Sequence, residues 1–144
     1  MQYRMATIED VPLLARMNRH LVQDERHRNA AITLAELEQR MRGFLAGDYT
    51  GVLFEAGGET VAYALFRDEG DTIHLRQFFV RRDRRREGIG REAMRILDRQ
   101  IWPADKRISV GVLCHNEVGR AFWHAVGFRD YALELELPAA NRSR

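Results

Sequence analysis

Cysteine is almost absent: the 144 residues carry one, Cys114, which excludes an internal disulfide framework and any zinc site built from cysteines. Long apolar runs are missing too, since none approaches the ~20 residues of a membrane-spanning helix. The opening residues Met1-Gln2-Tyr3-Arg4-Met5 lack the apolar centre of a secretory leader. A cytoplasmic protein with no membrane partner is therefore expected. Prolines number three, and no repeat or linker composition divides the chain. Net charge is small at +2, and it is uneven: six arginines between Arg81 and Arg91 face only Asp83 and Glu87, a local +4. Nucleic-acid binding calls for a broad basic footprint instead of one focused loop, so no nucleic-acid partner is expected.

What is present fits a folded globular protein, with 45% hydrophobic and 31% charged residues. Length sets a single domain with its own core. Residues 1–138 are expected to form that domain and residues 139–144 a polar tail.

Periodicity outlines the elements. Tyr3 to Thr7 reads as a first strand, and Thr7 with Asp10 three residues on starts a helix carrying Val11, Leu14, Ala15 and Leu21. Thr33 and Glu36 have capping-box spacing ahead of Leu34, Leu37, Met41, Phe44 and Leu45. Between these helices lies the polar stretch from Gln23 to Asn29. Strands Gly51–Ala56 and Thr60–Phe66 flank Gly57-Gly58, a hairpin signature. Asp68-Glu69-Gly70-Asp71 turns the chain into a third strand, Thr72–Val80, which completes an antiparallel meander. A helix from Ile89, stopped by Pro103, then separates that strand from Lys106–Leu113, so those two strands should run parallel. A last helix, Glu117–Val126, ends at Gly127 as a C-cap, and Tyr131–Leu137 is expected to close the sheet. The fold class is α+β, with an antiparallel meander flowing into a parallel strand–helix–strand unit and about four helices.

The segment Arg85-Arg86-Glu87-Gly88-Ile89-Gly90-Arg91 lies between a strand and a helix. Glycines let a ligand approach the backbone. The first turn of a helix offers unpartnered N–H groups and partial positive charge, and arginines add bidentate phosphate recognition. A phosphorylated ligand is expected here. The Walker A pattern does not fit, because Gly90 is followed by Arg91-Glu92. Gly88-x-Gly90-x-x-Ala93 formally matches a dinucleotide fingerprint, but the acidic residue about twenty positions later is not evident.

What fits is Arg-x-x-Gly-x-Gly together with Asn116-x-x-x-x-Ala121-Phe122-Trp123-x-x-x-Gly127-Phe128. In these two segments, and in element order over essentially the whole chain, the sequence resembles the GNAT N-acetyltransferase superfamily. The resemblance implies a mixed sheet of six to seven strands and acetyl-CoA as co-substrate, with no metal. It implies acetyl transfer to a primary amine, with a small-molecule amine acceptor and room for a homodimer. Phe79 and Val80 would then supply main-chain contacts to the pantetheine arm. Arg85, Arg86, Glu87, Gly88, Ile89, Gly90 and Arg91 would cradle the pyrophosphate, with Gly90 letting it approach closely. On the last helix Val118, Ala121, Phe122, Ala125 and Val126 share a face expected to be core. Asn116 and Trp123, seven residues apart, share another side that would meet the cofactor, while Asn116 also reads as an N-cap.

Two departures bear on chemistry. The family's usual residue at position 123 is a tyrosine that protonates the departing thiolate, and an indole N–H does not give up a proton at neutral pH. The polyamine acetyltransferases carry an acidic pair where this chain has Arg76-Gln77. That disfavours a polycation and suits an amino-acid-like acceptor with a carboxylate. His74 is a candidate for taking the amine's proton and Tyr131 a candidate acid. By resemblance Glu25 and His27 border the acceptor groove. Rival readings are a non-catalytic acyl-CoA-binding module and a peptide or protein N-acetyltransferase.

Overall fold

The computed structural model describes residues 1–25 and 31–143. Its centre is a five-stranded sheet in the order β1 (Gln2–Met5), β2 (Tyr49–Ala56), β3 (Glu59–Asp68), β4 (Thr72–Val80), β5 (Arg107–Val110). β1 to β4 are antiparallel neighbours, and β4 and β5 run parallel. The β2–β3 hairpin turns on Gly57 and Gly58, whose φ values of 61° and 80° belong to a turn that needs positive φ at both central residues.

Among the described residues four helices cover the sheet: α1 (Val11–Asp24), α2 (Leu34–Ala46), α3 (Ile89–Ile96), which continues as a wider turn through Leu97–Ile101, and α4 (Glu117–Ala125). The start of α2 follows the sequence signature, since Thr33 Oγ1 accepts from the Glu36 N–H at 3.1 Å and Glu36 Oε1 from the Thr33 N–H at 3.2 Å. At the other predicted cap, Asp10 Oδ2 accepts from the Thr7 N–H at 2.8 Å. There a single 3-10 turn, Ile8–Asp10, precedes α1. None of the helices among the described residues is long and apolar enough to cross a membrane.

Because side chains alternate between faces of a sheet, two cores form. On one face α1 and α2 bury Val11, Leu14, Met17 and Met41 against Leu53, Tyr63, Leu65 and Phe79. On the other, Ala93, Ile96 and Leu97 pack on Phe54, Ala62, Ala64 and Leu75, with Phe122 and Trp123 partly buried beside them.

Two irregularities in β4 shape what lies above it. Leu65 pairs with Gln77 and Phe66 with Leu75, so Arg76 is an extra residue with no partner on β3. A bulge of this kind re-aims the side chains around it. Pairing with β5 runs from Thr72↔Arg107 to Leu75↔Val110, so β4 and β5 part at the bulge.

The sheet corrects the expected six to seven strands. Tyr131–Leu137 joins no sheet, and Leu133, Leu135 and Leu137 are 88%, 87% and 67% exposed. Alternating Leu and Glu is a strand pattern, but a pattern does not say which surface covers it. The expected core face of α4 is likewise half uncovered: Phe122 and Val126 are partly buried, while Val118, Ala121 and Ala125 are exposed. β5 ends at Val110 instead of Leu113.

Candidate active site

The loop between β4 and α3 is shaped by two left-handed residues. Gly88 caps α3 at φ 78°, ψ 9°, and Arg86 has φ 66°, a conformation rare for a residue with a side chain. A Cβ at Gly88 would meet nothing within 4 Å, so the surface above it is open. Glu92 N–H is the first to close a helical bond, to Gly88 O at 3.0 Å. The N–H groups of Ile89, Gly90 and Arg91 at the start of α3 therefore lack intrahelical partners. At Gly90, by contrast, a Cβ would lie 3.0 Å from Phe122 Cε1 and 3.5 Å from Val80 Cγ2, so this glycine serves the packing of α4 on the loop.

The six arginines divide in two. Arg81 pairs with Asp83 at 2.7 Å, and Arg84 with Glu87 at 3.2 Å. Arg82 and Arg85 both reach Asp24 at the end of α1, at 2.9 and 2.6 Å. Arg85 also donates from Nε to Val80 O at 3.0 Å and lies over the Phe79 ring, its guanidinium carbon 5.2 Å from the centroid. Arg86 and Arg91 are exposed and make no ion pair among the described residues. These two are the cations available to an anion, while Arg85 and Glu87 hold the loop's shape.

The α1 side of the parting is polar and partly buried. Tyr63 is fully buried and donates from its phenol to Gln77 Oε1 at 2.9 Å, and Asn18 also bonds that phenol. Burial pushes the phenol's pKa far up, so Tyr63 stays protonated. Glu25, half-buried at the C-cap of α1, has its carboxyl pKa raised, chiefly by burial and then by neighbouring Asp24, with His115 opposing. His115 Nε2 donates to the Glu25 carbonyl at 2.8 Å, which ties α1 to the loop after β5. Asn18 was not singled out from the sequence, and its one available signal is that of a polar residue inside the apolar stripe Leu14, Met17, Leu21.

The other candidates are dispersed. His74 Nδ1 lies 2.9 Å from Ser109 Oγ on β5, below the bulge. Arg76 is exposed and rests on aromatic rings, 4.8 Å from Phe44 and 5.8 Å from Tyr49, donating to Tyr49 Oη at 3.3 Å. Gln77 is buried against Tyr63 instead of facing outward with Arg76. Asn116 caps α4, its Oδ1 accepting from the Gly119 N–H at 3.0 Å. Trp123 does not share its outlook: the indole packs with Phe78, Phe122 and Phe128 at centroid distances of 5.6, 5.0 and 5.1 Å. Phe79 is buried and Val80 partly so, beyond the last β5 pair. Tyr131 is 78% exposed, its ring 4.5 Å from the Arg107 guanidinium carbon. His27 lies outside the described residues. Among the described residues no three His, Cys, Asp or Glu side chains form a group that would hold a metal ion. A groove of about 490 Å³ between α3 and the end of α4 shares Arg91 with the segment that opens α3.

Over residues 15–136 the chain matches the model of the acetyltransferase (GNAT) domain. No curated protein matches it. A mutant of the BH1408 protein from Bacillus halodurans is similar in fold, with 21% identity over 96% of this chain and 99% of that one and a TM-score of 0.73. So is a predicted acetyltransferase of Clostridium acetobutylicum solved with acetyl-CoA, at 19% identity over 99% of both chains and a TM-score of 0.74. The aminoglycoside N-acetyltransferase AAC(6')-Iy, solved with CoA, is 12% identical over 95% of this chain and 93% of its own, with a TM-score of 0.75.

Proposed function

Since this chain belongs to the GNAT acetyltransferase family, we propose that it moves the acetyl group of acetyl-CoA directly to a primary amine of a small molecule. The observation that carries the donor assignment is the open, left-handed Gly88 at the start of α3, flanked by Arg86 and Arg91, which make no ion pair among the described residues. A pyrophosphate fits such a cradle because amide donors, partial helix charge and two guanidinium groups converge on it. Acetyl-CoA supplies an activated acetyl thioester.

The chain's own residues supply position and proton transfer. Arg86, Arg91 and the first amides of α3 hold phosphate, and the main chain of β4 beyond Leu75, released from β5, orients the arm that follows. Holding two reactants in register removes much of the entropic barrier. Glu25 accepts the proton of the acceptor's ammonium group. Its partial burial raises its pKa towards the range where a general base works best. Arg76, anchored on Phe44 and Tyr49, is placed to meet a carboxylate on an amino-acid-like acceptor. Trp123, enclosed by aromatic rings, supplies no acid. A thiol with a pKa near 8.5 leaves without a strong one, so solvent provides the final proton.

Release of free CoA in the presence of amino acids, aminoglycosides, polyamines and peptides tests this reading. Turnover with small amines is expected, amino-acid-like ones foremost. Tight acetyl-CoA binding with no turnover on any amine would show a binding module, and turnover on peptides alone would remove the small-molecule acceptor.

A further inference from the structure

The last turn of α1 is held from two sides. Asp24 takes a guanidinium group on each carboxylate oxygen: Arg82 Nε donates to Oδ1 at 3.0 Å and Arg85 Nη2 to Oδ2 at 2.6 Å. Arg82 Nη2 also donates to the His20 carbonyl at 3.2 Å and to Gln23 Oε1 at 3.1 Å. From the other side, His115 in the loop after β5 donates to the Glu25 carbonyl at 2.8 Å. The end of α1 thus joins the loop that follows β4 to the loop that follows β5, across the place where those strands part.

Stability does not account for so much pairing at one carboxylate. The side chains of Arg82 and Arg85 are 45% and 43% exposed and that of Asp24 26%, and ion pairs this open to solvent stabilise a fold little. What the arrangement fixes is position, because a carboxylate gripped at both oxygens loses its freedom to rotate. Arg85 is anchored elsewhere as well, by its bond to Val80 O and by the Phe79 ring. It immediately precedes the left-handed Arg86, and Asp24 immediately precedes Glu25. Two peptide bonds and one ion pair therefore separate a residue of the phosphate cradle from the proposed base.

We propose that Asp24 is a positioning residue that couples the donor site to the acceptor base: acetyl-CoA on the loop sets Arg82 and Arg85 against Asp24, and Asp24 sets the carboxyl of Glu25. This rests on the reading of the loop as the acetyl-CoA site and of Glu25 as the base. Such coupling requires that donor binding tighten the end of α1.

Hydrogen exchange on the full chain, with and without acetyl-CoA, reads this without an acceptor. In the parent, acetyl-CoA should slow exchange at the start of α3 and, by about fivefold or more, at residues 21–25. In Asp24→Ala the start of α3 should still be protected by acetyl-CoA, and residues 21–25 should not. Arg85→Gln should reproduce that loss, and the double variant should add little to either, so the test survives one variant that fails to fold. With the amine that releases CoA fastest, Asp24→Ala should lower kcat by up to about a hundredfold while the KM for acetyl-CoA stays nearly unchanged. Protection of residues 21–25 that persists in Asp24→Ala, protection that never reaches them in a parent whose α3 is protected, or an unchanged kcat would overturn the coupling. A parent in which acetyl-CoA protects neither segment would instead remove the donor site on which it rests.

Discussion

Replacing Gly88 with alanine separates ligand binding from folding at the phosphate loop. The residue sits at φ 78°, ψ 9°, where an L side chain costs roughly 1–2 kcal/mol. No protein atom lies within 4 Å of the new methyl group, so that backbone term is the whole expected loss of stability. For a chain of this size it lowers Tm by about 3 °C per kcal/mol. The methyl group projects into the space above the helix start that the pyrophosphate is proposed to fill. Displacing one charge-assisted hydrogen bond there removes about 1.5–3 kcal/mol, or roughly tenfold to a hundredfold in affinity. Gly90→Ala is the matched control. Its Cβ would press on Phe122 at 3.0 Å, so it perturbs packing and should alter acetyl-CoA affinity only as far as it alters the fold. Calorimetric titration with acetyl-CoA beside thermal unfolding reads both quantities. A folded Gly88→Ala protein with unchanged affinity would refute the cradle, as would a folded Gly90→Ala protein with the larger binding defect.

Arg86→Gly should raise Tm, since glycine relieves the φ of 66° by about 1 kcal/mol, and should weaken acetyl-CoA about tenfold with a shallower salt dependence. Arg84→Ala, which breaks an internal pair with Glu87, should leave that affinity nearly unchanged, and equal effects on binding would show that the arginines are not partitioned. Glu25→Gln should lower kcat/KM by roughly 10²–10⁴ and abolish the rise in rate as pH climbs through the carboxyl's raised pKa. Because burial, then Asp24, raises that pKa, the folded state holds the proton more tightly. Stability contributed below the ordinary value of 4.5 is therefore lost as pH rises. The variant should thus be no less stable than the parent at pH 8 while being less active, and a variant destabilised at pH 8 would contradict the assignment.

The legible parts of this protein are those set by local spacing. The Thr33–Glu36 box, the Gly57-Gly58 hairpin and the meander into a parallel unit all follow from residues within a few positions of one another. The glycine turn between β4 and α3 was legible for the same reason, but the division of its arginines was not. Asp24 selects Arg82 and Arg85 from across the fold, and Glu59 lies near Arg81 and Arg84. Trp123 was placed by periodicity on a face that the tertiary structure changes, and Gln77 was read beside Arg76 from the resemblance alone. For Gln77 the bulge at Arg76 changes the phase. For Trp123 the neighbouring rings of Phe78, Phe122 and Phe128 offer a better surface than solvent. The arm at 131–137 shows the opposite limit, in which a strand pattern joins no sheet among the described residues.

The extra residue at Arg76 works as a parity switch. Below it the odd-numbered Ile73 and Leu75 lie in the core under α3, and above it the even-numbered Phe78 and Val80 pack against that same core. The odd-numbered Phe79 meanwhile joins the core under α1. Since N–H and C=O groups also alternate between a strand's two edges, the switch reorders the row of donors and acceptors facing β5 at the point where pairing stops. Were the strand to pair without the bulge while keeping all its residues, one half of it would have to turn its apolar side outward. The extra residue is therefore carried as a break in the ladder, at the point where β4 and β5 part beside the loop that leads into α3.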